Sequence, residues 1–344
     1  MDTPFCSSSV HTPSISLHDA PPDNCQSEPD LSNASYRNRL IHRHRRHYEA
    51  ARNLYAALDD HGHSGIYWRF MDCRRSAHFC VDPSDGRVFV AANSCHLRYC
   101  PLCSQARKLA IEANTAAWLS QAAYPKLLTL TLKHTTEPLK DQLTRLYQSF
   151  TKLRRQLLFS TNVTGGIWFF QVKRSPSGST WHPHLHCFVA GNWLPQKALS
   201  AAWHKVTGDS YILDIKMIRS VKTAAAYVAR YATTACNITE LSVEHAMTVA
   251  ESLYRRRLCG TFGECRKRRL TARPDRQPRD CIRLVSFSEL KAMAATSQLA
   301  GLVWYSWLHN QPIDTSLDFT TLKFQDPQPL LSPRADKPKQ LYFY

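Results

Sequence analysis

The chain has 344 residues and carries 44 Lys and Arg against 27 Asp and Glu, a formal net charge of +17. Five of the acids and none of the basic residues fall in residues 1–36, so removing those five negative charges leaves +22 on residues 37–344. Such an excess calls for a polyanionic partner, and the lack of an apolar run near the roughly 18 residues of a membrane span argues against a membrane protein.

Residues 1–36 are rich in Ser, Pro, Asp and Asn and are expected to be a disordered acidic tail. Arg37, Arg39, Arg43, Arg45 and Arg46, interleaved with His42, His44 and His47, form a basic helical segment in residues 37–66, with the helix running to about Leu58. That face is either solvated or a contact for DNA phosphates. The N-terminus has no basic-then-apolar signal pattern, so the expected compartment is a reducing cytoplasm. There, clustered members of the twelve cysteines read as metal ligands rather than disulfides. They concentrate in residues 67–110. Cys100 and Cys103 form a knuckle that can hold two corners of a tetrahedral zinc, Cys95 offers a third, and the fourth is Cys73, Cys80 or His78.

A domain is expected over residues 120–240. Leu127 to Lys133 alternates leucines with Thr129, Thr131 and Lys133, the period of a half-buried strand. Leu139, Leu143, Leu146, Phe150, Leu153 and Leu157 recur at helical steps, and Gly165-Gly166 is expected to break that helix. A strand from Ile167 to Lys173, a turn at 175–179 and the histidine-bearing strand from Trp181 to Val189 follow. Then come a helix from Pro195 to His204, a strand from Tyr211 to Ile218, and a helix from Thr223 to Thr233. This order suggests an α+β fold with helices packed on an antiparallel sheet. Residues 241–285 are a basic, DNA-contacting segment. Within it Arg255, Arg256 and Arg257, then Arg266, Lys267, Arg268 and Arg269, surround Gly260–Gly263, which reads as a turn. Residues 286–344 read as one helix, Ser288 to Leu308, and a polar tail.

Two constellations carry chemistry. His184 and His186 project from one face of their strand, roughly 7 Å apart, with His182 on the same face, and neutral imidazoles so placed can grip one divalent metal. Tyr227 and Tyr231 stand one helical turn apart, with Arg230 between them to stabilise a phenolate or hold phosphate. A phenol with pKa near 10 needs such help to attack at neutral pH. Metal and paired tyrosines together suggest phosphodiester cleavage through a covalent tyrosyl link.

His182-Pro183-His184-Leu185-His186, the Tyr227–Tyr231 pair, Lys126 to His134, Cys95 to Cys103 and Gly260 to Gly263 resemble, in order, the HUH endonucleases that initiate rolling-circle replication of plasmids. The resemblance covers roughly residues 70 to 270. It implies a ferredoxin-like or RRM-like palm behind a zinc-binding module, with Cys73 as the fourth zinc ligand. It implies a catalytic Mg²⁺ or Mn²⁺ whose third ligand is Gln171, standing where many relatives have Glu, and a neutral amide binds such ions more weakly than a carboxylate. It also implies nicking of a single-stranded or hairpin DNA origin, with a 5′-phosphotyrosine and a 3′-OH primer, alongside host helicase and polymerase. In single-tyrosine initiators the nucleophile maps to Tyr231, and Tyr227 replaces a Glu. The gene A proteins of small isometric phages alternate between two tyrosines, the pattern present here. Two rival readings are a two-tyrosine HUH transposase and a non-catalytic, zinc-dependent DNA-binding regulator. The second leaves the histidine strand and tyrosine pair unexplained.

Overall fold

In the computed structural model the described residues are 30–323, except Arg74, Ser76, Pro176, Ser177, Ser179 and residues 273–280; the side chains of Val228, Arg230 and Tyr231 are also outside the description. The expected acidic tail up to Pro29 and the polar tail from Phe324 therefore lie outside the described residues.

Helix α1 (Ala34–Asp60) begins within the segment expected to be tail, because the Asn33 side chain caps it by accepting from the backbone N–H groups of Ser35 and Tyr36. Its buried residues Arg37, His44, Ala51 and Leu58 recur every seven positions and form the stripe that faces the core. Arg37 is thus no DNA contact: its guanidinium donates to the carbonyls of Leu31, Ser32, Ala294 and Ala295. His44 is packed among Phe287, Trp304 and Trp307.

After α1 come α2 (Ile66–Asp72), β1 (His78–Val81), β2 (Val88–Ala91) and α3 (Pro101–Leu119). The central part comprises β3 (Lys126–Thr131), α4 (Leu139–Leu153), α5 (Leu157–Asn162), β4 (Val163–Arg174), β5 (Trp181–Gly191), α6 (Gln196–Thr207), β6 (Leu213–Met217) and α7 (Val221–Thr234). The chain continues through α8 (Val243–Ser252), β7 (Cys259–Gly263), β8 (Ile282–Ser286), α9 (Phe287–Met293) and α10 (Gln298–His309). The fold is α+β. A five-stranded antiparallel sheet has the order β6-β3-β5-β4-β7, and a three-stranded one has the order β2-β1-β8.

Four expectations about elements change. The helix expected to carry Leu157 ends at Leu153, because the N–H groups of Arg155 and Gln156 turn back to the carbonyls three residues earlier. Leu157 starts a separate short helix and is 78% exposed. Gly165 and Gly166 break no helix: they lie inside β4, where β7 crosses closely. A Cβ on Gly166 would meet the Phe262 ring at 2.7 Å, and one on Gly165 would meet the Glu264 nitrogen at 2.8 Å. The Gly260–Gly263 stretch is accordingly β7, an edge strand paired with β4 from Gly165 to Phe169. The C-terminal helix is two helices, with Ser297 capping the second by accepting from the Ala300 N–H.

Both faces of the larger sheet are covered. Leu128, Leu130, Leu185 and Cys187 pack under α4 and α6 with Leu143, Leu146 and Trp203. On the opposite face Ile167, Phe169 and Phe188 meet α3 and α7 through Ile111, Trp118, Ala225, Ala229 and Ala232. The alanines of α7, at steps of four and three, let that helix lie close on the sheet. No helix among the described residues is long and apolar enough to cross a membrane.

Candidate functional site

β5 lies in the centre of its sheet between β3 and β4, so each histidine is flanked by one residue from either neighbour. Thr131, His184 and Gln171 stand in one row across the three strands, and Thr129, His186 and Phe169 in the next. The Thr129 hydroxyl meets His186 Nδ1 at 3.2 Å, and the Thr131 hydroxyl meets His184 Nδ1 at 3.1 Å. With both Nδ1 atoms engaged, Nε2 is the ring atom of each histidine that could serve as a ligand. His186 Nε2 and Gln171 Oε1 face each other at 2.7 Å. Two neighbouring ligands of an octahedral ion at about 2.1 Å lie roughly 3.0 Å apart, so the pair fits one edge of a Mg²⁺ or Mn²⁺ shell.

Burial keeps these imidazoles uncharged at neutral pH, as ligation requires. The His186 pKa is lowered to about 4 by burial and by Lys173. His184 is pushed well below its ordinary range by burial, by His186 and His182, and by Lys173 and His134. Lys173 and His134 join this surface although neither stands out in the sequence. Lys173 follows Gln171 by two positions on β4, hence on the same face.

Helix α7 crosses this face. The half-buried Tyr227 ring lies 5.8 Å from that of His186, edge to face. Tyr231 and Arg230 follow on the same helix, and their side chains lie outside the described residues.

A second constellation lies beside α1 and α2. Cys73, Cys95, Cys100 and Cys103 are all buried, with their sulfurs within 4.8 Å of one another. Their sulfurs approach to 3.6 Å for Cys73–Cys103, 3.5 Å for Cys95–Cys103 and 3.7 Å for Cys100–Cys73. Four sulfurs at about 2.3 Å from a tetrahedral zinc are about 3.8 Å apart, so the cluster could hold a metal such as zinc. Cys100 and Cys103 come from the start of α3, Cys73 from the end of α2, and Cys95 from the loop between β2 and α3. Hydrogen bonds from Cys100, Cys73 and Cys95 pull the Cys103 thiol far below its ordinary range. Of the other two candidates, His78 and Cys80 are both in β1 and outside this group; Cys80 neighbours Cys281.

Of the basic segment, Arg255, Arg257, Arg266, Lys267, Arg268 and Arg269 are exposed on either side of edge strand β7. Arg256 is half-buried and donates to the Thr144 hydroxyl and the Lys140 carbonyl, bracing α4.

A family model described as replication protein matches residues 86–313, which span the knuckle, the histidine face and the tyrosine helix. A "Protein rep" of Bacillus amyloliquefaciens is 26% identical over 167 residues, 44% of this chain and 49% of that protein. A "Protein rep" of Streptococcus pneumoniae serotype 2 is 27% identical over 203 residues, 51% of this chain and 62% of the relative. One of Staphylococcus aureus is 24% identical over 162 residues, 42% and 71% respectively. The chain thus spans about half the length of the two Bacillus relatives it matches. No solved structure matches the chain significantly.

Proposed function

The chain belongs to the replication protein family, and we propose that it initiates rolling-circle replication of a plasmid by nicking and rejoining one DNA strand through a phosphotyrosine. The observation that carries this reading is the Tyr227 ring packed 5.8 Å from His186, whose Nε2 in turn faces Gln171 at 2.7 Å. Mg²⁺ or Mn²⁺ held by His184, His186 and Gln171 would polarise the scissile phosphate and offset the charge that grows on its oxygens.

The chain's own residues do the rest. The phenol oxygen of Tyr231 or Tyr227 bonds to phosphorus as the bond from phosphorus to the 3′ oxygen breaks. The phenol proton goes to solvent, and the departing 3′ oxygen takes one up. The products are a 5′-phosphotyrosine and a 3′-OH that can prime a polymerase. Lys173 and Arg230 supply positive charge to the phosphate. Two tyrosines on one helix give the polypeptide a nucleophile for opening and another for closing. Cys73, Cys95, Cys100 and Cys103 hold a structural zinc. Arg255, Arg257 and Arg266–Arg269 contact the DNA backbone, and a host helicase and polymerase follow in the reducing cytoplasm.

Incubation with origin single strands and Mn²⁺ tests this, with the adduct mapped by mass spectrometry. The His184→Ala, His186→Ala double variant is expected to lose the adduct while retaining DNA binding, which rests on Lys and Arg. The Tyr227→Phe, Tyr231→Phe double variant is also expected to form none. If Tyr231→Phe alone abolishes the adduct, the single-nucleophile form holds; if either tyrosine suffices, the alternating form holds. Undiminished adduct in the double histidine variant rejects the proposal.

A further inference from the structure

Between α1 and the short 3-10 turn that follows the tyrosine helix (Ile238–Glu240) lies a cleft of about 630 Å³. One wall is the outer face of α1, with Arg39, Arg43, Arg46 and His47; the other presents Asn237 and Thr239. This wall is distinct from the histidine face, since the inner stripe of α1 packs into the core of the cysteine module. The three arginines are exposed. Arg45, on another side of the helix, is engaged with Glu49 at 3.0 Å. Among the described residues lining the cleft the one carboxylate, Glu240, accepts from the Asn237 side chain at 2.6 Å within its own turn.

The spacing suits a polyanionic strand. From Arg39 to Arg46 the helix rises about 10 Å, and one DNA strand presents a phosphate about every 3.4 Å along the duplex axis, so the row spans about three phosphates. The field is also concentrated there. His47 is lowered to about 4 by burial and by Arg43 and Arg46. His309 on α10 is lowered to about 4 by burial, Lys108 and Arg43. Cationic charge from α1 and α3 therefore converges on the neutral His309 of α10. The cleft opens only three residues beyond Thr234, the end of the tyrosine helix.

We infer that this cleft is a second DNA-backbone site, which grips about three phosphates of one strand outside the segment being cut. The inference rests on the DNA-nicking reading above and adds a place where the bound origin is anchored. It separates holding the DNA from cutting it, because the arginines on α1 are remote in sequence from both histidines and tyrosines.

The test uses the full chain and a hairpin oligonucleotide, with affinity measured by fluorescence anisotropy across NaCl concentrations. The Arg39→Ala, Arg43→Ala, Arg46→Ala variant is expected to bind at least about tenfold more weakly at low salt, and its slope of log affinity against log salt should flatten by about 2 to 3. Arg45→Ala, the charge-loss control on the same helix, should keep the wild-type slope. Adduct formation on a short single strand containing only the cut site should be unchanged in the triple variant, which also verifies folding. An unchanged slope in the triple variant, or equal flattening in Arg45→Ala, overturns the inference. The readouts fail separately: absence of adduct with the unaltered protein overturns the nicking reading, whereas the salt slope judges the cleft.

Discussion

At the scale of single residues, the histidine face depends on groups that only cross-strand register reveals. His184 and His186 are legible because a strand's period of two places them together. Their threonine partners are not: Thr129 and Thr131 read as the polar side of an ordinary strand until β3 is set beside β5. A hydroxyl can donate or accept. It can therefore donate to His186 Nδ1 while Nε2–H faces Gln171, and accept from Nδ1–H once Nε2 gives its lone pair to a metal. Partners of this kind are typically worth 10- to 100-fold in metal affinity. Thr129→Val with Thr131→Val should raise the Mn²⁺ concentration for half-maximal adduct about tenfold or more, with hairpin affinity and melting temperature nearly constant. A Mn²⁺ titration that superimposes on the unaltered protein's would refute the role.

At the scale of elements, the order strand, helix, hairpin, helix, strand, helix over residues 120–240 is present as expected, with α5 and the 3-10 turn Ile238–Glu240 as additions. It was legible because alternation, helical steps and turn residues all agree there. The Gly-Gly pair reads as a helix break for a physical reason: glycine marks a turn and a close backbone approach with the same letter. Here it serves the approach. A Cβ on Gly166 would meet both the Phe188 carbonyl of β5 and, at 2.7 Å, the Phe262 ring of β7. Gly166→Ala should therefore push β4 off its neighbours β5 and β7 and destabilise the protein by about 1–3 kcal/mol, read as a shift in the urea midpoint. Because Arg255–Arg257 and Arg266–Arg269 flank β7, hairpin binding should weaken with it. A neutral midpoint would mean that the edge strand tolerates displacement and contributes little.

For the whole molecule, the least legible relation is the one between chain ends. β8 pairs with β1 across some 200 residues, His78 opposite Ser286, and no local pattern signals such a pairing. As a result α9 and α10, to which the sequence assigns no activity, share one core with the cysteine module. Phe79 stacks on Phe287 at 5.4 Å, Trp304 and Trp307 close around them, and Cys73, Cys95, Cys100 and Cys103 belong to the same cluster. A zinc there would tie α2 and the start of α3 together at the base of this core, and its binding free energy would add to that of folding. Purified protein should contain about one zinc, and Cys100→Ser should lose it. Removing the metal with a chelator should lower the melting temperature by on the order of 10 °C. Since Trp304 is 1% and Trp307 3% exposed, loosening of this core should also shift tryptophan emission to the red, a change that a module folding independently of the C-terminal helices would not produce. Folded protein without zinc, or zinc loss that leaves emission and melting unchanged, would detach the cysteines from the stability of this half of the molecule.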